Sequence, residues 1–290
     1  MLALIRDNRE NTGDAMVSHG LRFDVNCSLL FTELPLLERP AACRAAGFDA
    51  VEFWWPWPGQ PVPGDRDTDA FIRAVRDAGV TLVGLNFFAG DLAGPDCGAL
   101  SVPGLVRGFL DNIDVAVGIG EQLGTRVFNA LYGNRVDGVS PAEQDDLGAA
   151  NLARAAAAAA RIGAVVLLEP VSGPKPYPLR TAADAVAVAD RVARESGAEN
   201  VRLLADLYHL SVNGDDLDAA ISRYATRTGH VQIADAPGRH EPGTGGLDLD
   251  RYLAALEKAG YGGRVGLEYI PSGASADSFG WLPRSRRGTR

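Results

Sequence analysis

Short apolar runs alternate with amphipathic helical patterns along most of the chain. Eight of these runs are rich in Val, Leu and Ile and have the length of buried strands in a parallel sheet. The predicted strands are residues 21–27, 50–53, 81–86, 126–129, 164–169, 201–206, 230–233 and 265–269. The helical patterns between them are residues 36–46, 68–78, 106–123, 141–162, 182–195, 217–224 and 249–259. Repeated strand and helix units predict an α/β protein whose eight strands close into a (β/α)8 TIM barrel.

The predicted barrel occupies residues 21–282 as a single domain. No Pro-, Gly- or Ser-rich linker divides it, and its Gly- and Pro-rich segments all follow predicted strands, where the active-site loops of a barrel lie. Residues 1–20 lack periodicity and are expected to be a disordered extension, and residues 283–290 are expected to be a basic, solvated tail. A dinucleotide site is not expected, because residues 28–32 after the first strand contain no glycine.

Charge and cysteine content restrict the class of function. The chain of 290 residues carries a formal charge of −9 and has a pI near 5.0, whereas nucleic-acid binding draws on a clustered basic surface. No apolar run approaches the roughly 20 residues of a membrane span, and the three cysteines show neither CxxC spacing nor an even count. We expect a soluble, cytoplasmic protein without nucleic-acid or membrane partners.

Four polar residues each close one of the predicted buried strands. They are Glu169, Asp206, Gln232 and Glu268. Because the carboxyl ends of parallel strands meet at one rim of a barrel, these side chains should converge. Buried carboxylates that converge need a compensating cation, and oxygen ligands suit Mg²⁺ or Mn²⁺. The pattern therefore predicts a metal-dependent enzyme.

The remaining predicted strands also end in polar residues. Asn26, Glu52, Asn86 and Asn129 stand there, and for each of them an ordinary strand-end hydrogen bond is as good an interpretation as a substrate contact. His230 lies inside a predicted strand and is expected to be a core or supporting group.

Three residues of the predicted loops are candidates for binding a substrate. His209, three residues beyond Asp206, could reach a molecule held at the metal. Arg239 stands in a loop between two prolines and can bind a carboxylate with two hydrogen bonds. Lys175 in the preceding Pro-rich loop could add a second positive charge, although a solvated surface lysine is an equal alternative.

Four segments of the chain carry a family resemblance. They are Phe-Thr-Glu-Leu-Pro at 31–35, Ala-Gly-Phe-Asp-Ala-Val-Glu-Phe at 46–53, Val-Gln-Ile-Ala-Asp-Ala-Pro-Gly-Arg-His-Glu-Pro-Gly at 231–243 and Gly-Leu-Glu-Tyr at 266–269. With these segments the chain resembles the hydroxypyruvate isomerases, which belong to the xylose isomerase-like TIM barrels. The resemblance implies that Glu169, Asp206, Gln232 and Glu268 bind one divalent metal, and that Glu169 and Glu268 also transfer protons. Related sugar isomerases usually have histidine in the place of Gln232, so the amide oxygen favours Mg²⁺ or Mn²⁺ over zinc.

The implied reaction is the interconversion of hydroxypyruvate and tartronate semialdehyde through an enediolate. A small anionic 2-oxo acid would be the partner, and no organic cofactor is required. Isomerisation of a longer acid such as a 2-oxo-tetronate stays open, because only the pocket length would change. A sugar epimerase, an abasic-site nuclease and a non-catalytic binding barrel are weaker alternatives. A homo-oligomer also stays open, since Trp54, Trp55 and Trp57 could line either the pocket or a partner surface.

Overall fold

Eight short, largely buried strands form a closed ring at the centre of the molecule. The computed structural model describes residues 18–288, and within them each strand pairs in parallel with the next and the last pairs with the first. The strands are β1 (Arg22–Asn26), β2 (Ala50–Phe53), β3 (Thr81–Asn86), β4 (Val127–Asn129), β5 (Val165–Leu168), β6 (Val201–Asp206), β7 (Thr228–Ile233) and β8 (Arg264–Leu267). The predicted (β/α)8 barrel is confirmed.

Eight helices follow or connect these strands. They are α1 (Arg39–Ala45), α2 (Asp65–Ala78), α3 (Val106–Leu123), α4 (Pro141–Ala160), α5 (Ala182–Ser196), α6 (Leu207–Val212), α7 (Leu217–Tyr224) and α8 (Leu249–Lys258). Ser140 caps α4 by accepting from the backbone N–H of Glu143, and the Glu143 side chain accepts from the backbone N–H of Ser140. None of the helices within residues 18–288 combines the length and the apolar character needed to cross a bilayer.

Helix α6 is absent from the sequence-based prediction. It follows β6 with no intervening loop, because the side chain of Asp206 accepts from the backbone N–H groups of Tyr208 and His209 and so caps the helix. This helix is only six residues long, too short to show a helical period in the sequence. Its first turn brings His209 to the rim of the barrel.

Apolar side chains fill two separate regions. The larger core lies between the strands and the surrounding helices and includes Phe23, Phe128 and Leu203. A second, small cluster of Val127, Leu167 and Leu204 is separate from it. Leu203 and Leu204 are successive residues of β6 that point to opposite faces of the sheet, which places this second cluster inside the ring.

Residues beyond both predicted domain limits pack against the barrel. The backbone N–H groups of Ser18 and Gly20 each donate to a carboxylate of α8, on Asp250 and Glu257, at 3.0 Å. At the other end, Arg286 donates to the carbonyl of His19 at 2.6 Å. The solvated tail expected from residue 283 is thus hydrogen-bonded to the barrel up to at least Arg287. The rest of the predicted extension, residues 1–17, lies outside the described residues.

Candidate active site

The four strand-end residues singled out in the sequence lie at one rim of the barrel. Asp206 ends β6 and pairs in register with Gln232 of β7, while Glu169 and Glu268 are the first residues after β5 and β8. All four are buried, with at most 5% of the residue surface exposed. The closed parallel sheet therefore brings them to one place from separate parts of the chain.

Three oxygen atoms of this group are buried and receive no hydrogen bond from residues 18–288. They are Oδ2 of Asp206, Oε1 of Gln232 and Oε2 of Glu268. A buried polar atom left in this state costs about 1–3 kcal/mol, and more when it is charged. Two carboxylate oxygens and one amide oxygen form a donor set that suits a hard divalent cation. The carboxylates of Glu169 and Asp206 also lie close together beside His209, with one atom of each of the three side chains within 4.8 Å of the others.

Burial and mutual repulsion raise the pKa values of the two glutamates. Burial, followed by the charge of Asp206, raises the pKa of Glu169 to about 8. Burial also raises the pKa of Glu268 well above its ordinary value, although the guanidinium of Arg239 acts in the opposite direction. A carboxyl group whose pKa lies near 8, as that of Glu169 does, can both accept and release a proton near neutral pH.

Each glutamate is oriented by a side-chain donor. Oε2 of Glu169 accepts from Nδ2 of Asn129 at 2.7 Å. Oε1 of Glu268 accepts from Nε1 of Trp54 at 3.0 Å and from Nη2 of Arg239 at 3.1 Å. The sequence left Trp54 open between the pocket wall and a partner surface, and it lines the pocket, but nothing in the sequence indicates its contact with Glu268. The remaining oxygen of Glu268 is the one without a donor.

His209 presents an N–H group to the carboxylates. Its Nδ1 accepts from the backbone N–H of Ser172 at 3.1 Å, so the proton of the neutral ring resides on Nε2. Nε2 lies 3.8 Å from Oε1 of Glu169 and 3.7 Å from Oδ2 of Asp206. Burial lowers the pKa of His209 to about 4, which keeps the ring neutral at pH 7.

Arg239 is held over the site by the loop that follows β7. The buried side chain of Asp235 accepts four backbone N–H groups of this loop, from Ala236, Gly243, Gly245 and Leu247. Arg239 itself has a φ of 58°, and its backbone is fixed by hydrogen bonds to Asp235 and Ile270. The guanidinium lies over the ring of Tyr208, 5.4 Å from its centroid. Its Nε is buried without a partner, so a donor is left for an anion.

The ammonium group of Lys175 makes two hydrogen bonds that the sequence did not predict. Its ammonium group donates to the backbone carbonyls of Gly94 and Asp96 at 2.8 and 2.5 Å, which joins the loops after β3 and β5. One of its three N–H groups is left over. The residue nevertheless lines the same cavity as Arg239.

These groups surround one cavity of about 180 Å³. Its wall includes Glu169, His209, Arg239, Lys175, Glu268 and Trp54. Asp206 and Gln232 are not part of the wall and lie deeper in the barrel. The arrangement offers two carboxylates for proton transfer, a neutral imidazole and a positive charge to a molecule of a few carbon atoms.

Comparison with known proteins agrees with this architecture. The xylose isomerase-like TIM barrel family matches residues 40–285. A Streptomyces coelicolor protein named "Putative hydroxypyruvate isomerase" is 58% identical over 273 residues, which cover 93% of this chain and 98% of that protein. A 2-oxo-tetronate isomerase of Cupriavidus necator is 32% identical, over 90% of this chain and 97% of its own length. A solved structure described as an AP endonuclease, family 2, from Brucella melitensis has a TM-score of 0.82 and 32% identity, and the match covers 92% of this chain and 99% of that one.

Proposed function

We propose a reaction for this chain from the premise that it belongs to the xylose isomerase-like TIM barrel family and, within it, to the hydroxypyruvate isomerases. It is an isomerase of the aldose–ketose type, and the proposed reaction interconverts hydroxypyruvate and tartronate semialdehyde. One observation carries the proposal. Two buried carboxylates of raised pKa, on Glu169 and Glu268, line the same small cavity as the guanidinium of Arg239.

The isomerisation moves one carbon-bound proton and one hydroxyl proton. Glu169 and Glu268 form the proton-transfer pair. One carboxylate removes a proton from C3, which gives an enediolate. Either the other glutamate in its protonated form or the same group then delivers a proton to C2. The C3 hydroxyl becomes the aldehyde and the C2 carbonyl becomes the hydroxyl. The Nε2–H of His209 lies 3.8 Å from Oε1 of Glu169 and would assist proton transfer between the C2 and C3 oxygens of the substrate.

A divalent cation, Mg²⁺ or Mn²⁺, would be held by Glu169, Asp206, Gln232 and Glu268. The fit rests on the three buried oxygens that lack donors on Asp206, Gln232 and Glu268. When bound, such a cation supplies Lewis-acid stabilisation of negative charge on the oxygens of the enediolate. The carboxylate of the substrate would be bound by Arg239, together with the remaining N–H of Lys175.

Isomerisation of a four-carbon 2-oxo acid is the second candidate. It is favoured by the 32% identity with a 2-oxo-tetronate isomerase, and the same acid–base pair would serve. A nuclease activity is not favoured despite the similarity to the Brucella protein, because the chain has a formal charge of −9 and DNA binding relies on phosphate neutralisation by basic side chains.

The test is turnover of both acids by protein treated with EDTA and then supplied with Mg²⁺ or Mn²⁺. We expect turnover that depends on the cation and favours hydroxypyruvate. The variants Glu169→Gln and Glu268→Gln each lose one charged ligand and should bind Mn²⁺ more weakly, and at saturating Mn²⁺ they should still lose about 10²–10⁴ in kcat, the range for a general acid or base. A preference for the four-carbon acid would select the second candidate. Full turnover by either folded variant would remove its role in proton transfer.

A further inference from the structure

Glu52 is a buried carboxylate that touches the proposed cation site from inside the barrel. It lies in β2 with 4% of its surface exposed. Oε1 accepts from Nε2 of Gln232 at 2.7 Å and from Nδ2 of Asn26 at 3.0 Å. Oε2 lies 2.7 Å from Nε2 of His230. Glu52 is absent from the wall of the cavity that contains Glu169 and Glu268, so it does not reach a substrate there.

Oε1 of Glu52 accepts from the NH₂ group of Asn26, and an oxygen that acts as an acceptor fixes which end of Gln232 faces it. The amide must present its NH₂ group to Glu52. The carbonyl oxygen Oε1 then points away from Glu52, and this is the atom that is buried without a donor. The reversed amide would set two oxygens about 2.7 Å apart and turn an N–H group towards a site built for a cation.

Gly266 provides the space in which this contact forms. Gly266 of β8 pairs in register with Gln232. A Cβ atom at position 266 would lie 2.6 Å from Oε1 of Glu52 and 3.0 Å from Cγ of Gln232. The first of these distances is shorter than real Cβ atoms tolerate. A side chain here would therefore displace the same two groups whose contact orients the amide.

We propose that Glu52 is a positioning residue that holds the amide of Gln232 with its oxygen turned towards the divalent cation. This inference rests on the proposed function, because it presumes a cation bound by Gln232. Glu52 acts through Gln232 and contacts neither cation nor substrate. Outer partners of this kind typically change metal affinity by about 10- to 100-fold when they are removed.

The experiment measures the Kd for Mn²⁺ by electron paramagnetic resonance of the free ion, in a double-mutant cycle. The four proteins are the wild type, Glu52→Gln, Gln232→Ala and the double variant. We expect Glu52→Gln to raise the Kd about 10- to 100-fold in the wild-type background and less than about threefold in the Gln232→Ala background, since the group it orients is then absent. Thermal unfolding without metal verifies that each variant folds.

Asp24→Asn is the matched control. Asp24 is a buried carboxylate 4.0 Å from the same Nε2 of His230, and neither of its oxygens has a hydrogen-bond partner among the described residues, so it does not hold Gln232. Asp24→Asn should leave the Kd for Mn²⁺ within about twofold of the wild-type value. This result would show that the effect of Glu52→Gln comes from the orientation of the Gln232 amide and not from the loss of a nearby charge. If Glu52→Gln does not fold, Gly266→Ala takes its place in the cycle with the same expected pattern.

Three results would overturn the inference alone. The first is an unchanged Kd in Glu52→Gln, and the second is an equal loss of affinity in both backgrounds, which would show that Glu52 acts through its charge. The third is wild-type affinity in Gln232→Ala, which would leave a cation at the site without a role for the amide. If the wild-type protein binds no Mn²⁺, both the inference and the metal part of the proposed function fail.

Discussion

Asp206 and Asp235 are both buried carboxylates near one rim of the barrel, with 0% and 1% of their surface exposed, yet their oxygens are used differently. Both oxygens of Asp235 accept two backbone N–H groups each. Asp206 accepts two such groups on Oδ1 and none on Oδ2. Burial alone therefore does not identify a functional acid. An unpaired buried oxygen does not do so either, since both oxygens of Asp24 are unpaired as well. Asp206 is distinguished by its position at the end of β6, where its free oxygen and those of Gln232 and Glu268 meet at one rim and a ligand can complete all three.

Asp235, whose two oxygens both have hydrogen-bond donors, contributes to the site indirectly. Asp235 holds the loop between Ala236 and Leu247, and that loop carries Arg239. Asp235 therefore shapes the site, whereas Asp206 is proposed to contact its ligand. We expect replacement by Asn to reduce mainly turnover at position 206 and mainly stability at position 235.

Asp206→Asn should have the largest effect on turnover. The amide retains the shape of the side chain but removes the negative charge from the proposed cation site. A metal contribution of several kcal/mol corresponds to a loss of about 10³-fold in kcat/KM. The unfolding free energy without metal should stay the same or rise, because an uncompensated buried charge is removed. Steady-state kinetics and urea unfolding measure the two quantities, and a turnover loss below tenfold would contradict the role given to Oδ2.

Asp235→Asn should mainly reduce stability. The introduced NH₂ group would face backbone N–H donors and leave them without acceptors, at about 1–3 kcal/mol for each buried group. We expect the unfolding free energy to fall by about 3 kcal/mol and KM to rise as Arg239 loses its support. Urea unfolding tests the first effect. A variant as stable as the wild type would show that the loop does not depend on these four hydrogen bonds.

Without metal, stability should fall as the pH rises from about 7 to 9. The pKa of Glu169 is raised from 4.5 to about 8 and that of Asp24 from 3.8 to about 7, both chiefly by burial. The pKa of His230 is raised from 6.5 to about 9, because the charges of Glu52 and Asp24 outweigh its burial. In this range the folded protein holds protons that the unfolded chain has released, so the stability they provide is lost as the pH rises through the folded pKa values.

Urea unfolding of EDTA-treated protein at pH 7 and pH 9 measures this loss, which we expect to be about 4 kcal/mol. Mn²⁺ should reduce the slope of the unfolding free energy against pH, because a bound cation favours the ionised carboxylates. The slope should also be smaller in Glu169→Gln. Stability that rises with pH across this range would contradict the raised pKa values.

Trp54→Phe should have the smallest effect. It removes one of the two donors to Oε1 of Glu268 and leaves the one from Arg239, so we expect a loss of about tenfold in kcat, or 1.4 kcal/mol. Trp55→Phe is the matched control, since its indole donates to the carbonyl of Gln60 at 2.8 Å and should leave kcat within about twofold. An equal loss in both variants would assign the effect to packing of the loop.

The sequence was sufficient to predict the strands and the residues at their ends. Apolar runs mark buried strands, and parallel closure brings their ends together, so Glu169, Asp206, Gln232 and Glu268 could be grouped before any coordinates. The direction of a side chain was not predictable in the same way. The contact of Trp54 with Glu268 spans 214 positions, and no local pattern reports such a pair.

Lys175 illustrates the same limit. A lysine in a polar loop was equally compatible with a substrate contact and a solvated position, and neither possibility predicts its hydrogen bonds to the carbonyls of Gly94 and Asp96. Those partners lie in the loop after another strand. Their approach depends on how two irregular loops fold over the rim, and that path is not encoded in hydrophobic periodicity.

The pairing of β1 with β8 closes the ring, and the site is complete only after this closure. The groups proposed to bind the cation and move protons come from the ends of β5 to β8, and Glu52 from β2 contacts Gln232 across the ring. Contacts between such distant segments form only after the entropy of closing long loops has been overcome. A chain in which the ring is still open therefore lacks the complete site, and partly folded molecules should be catalytically silent during synthesis.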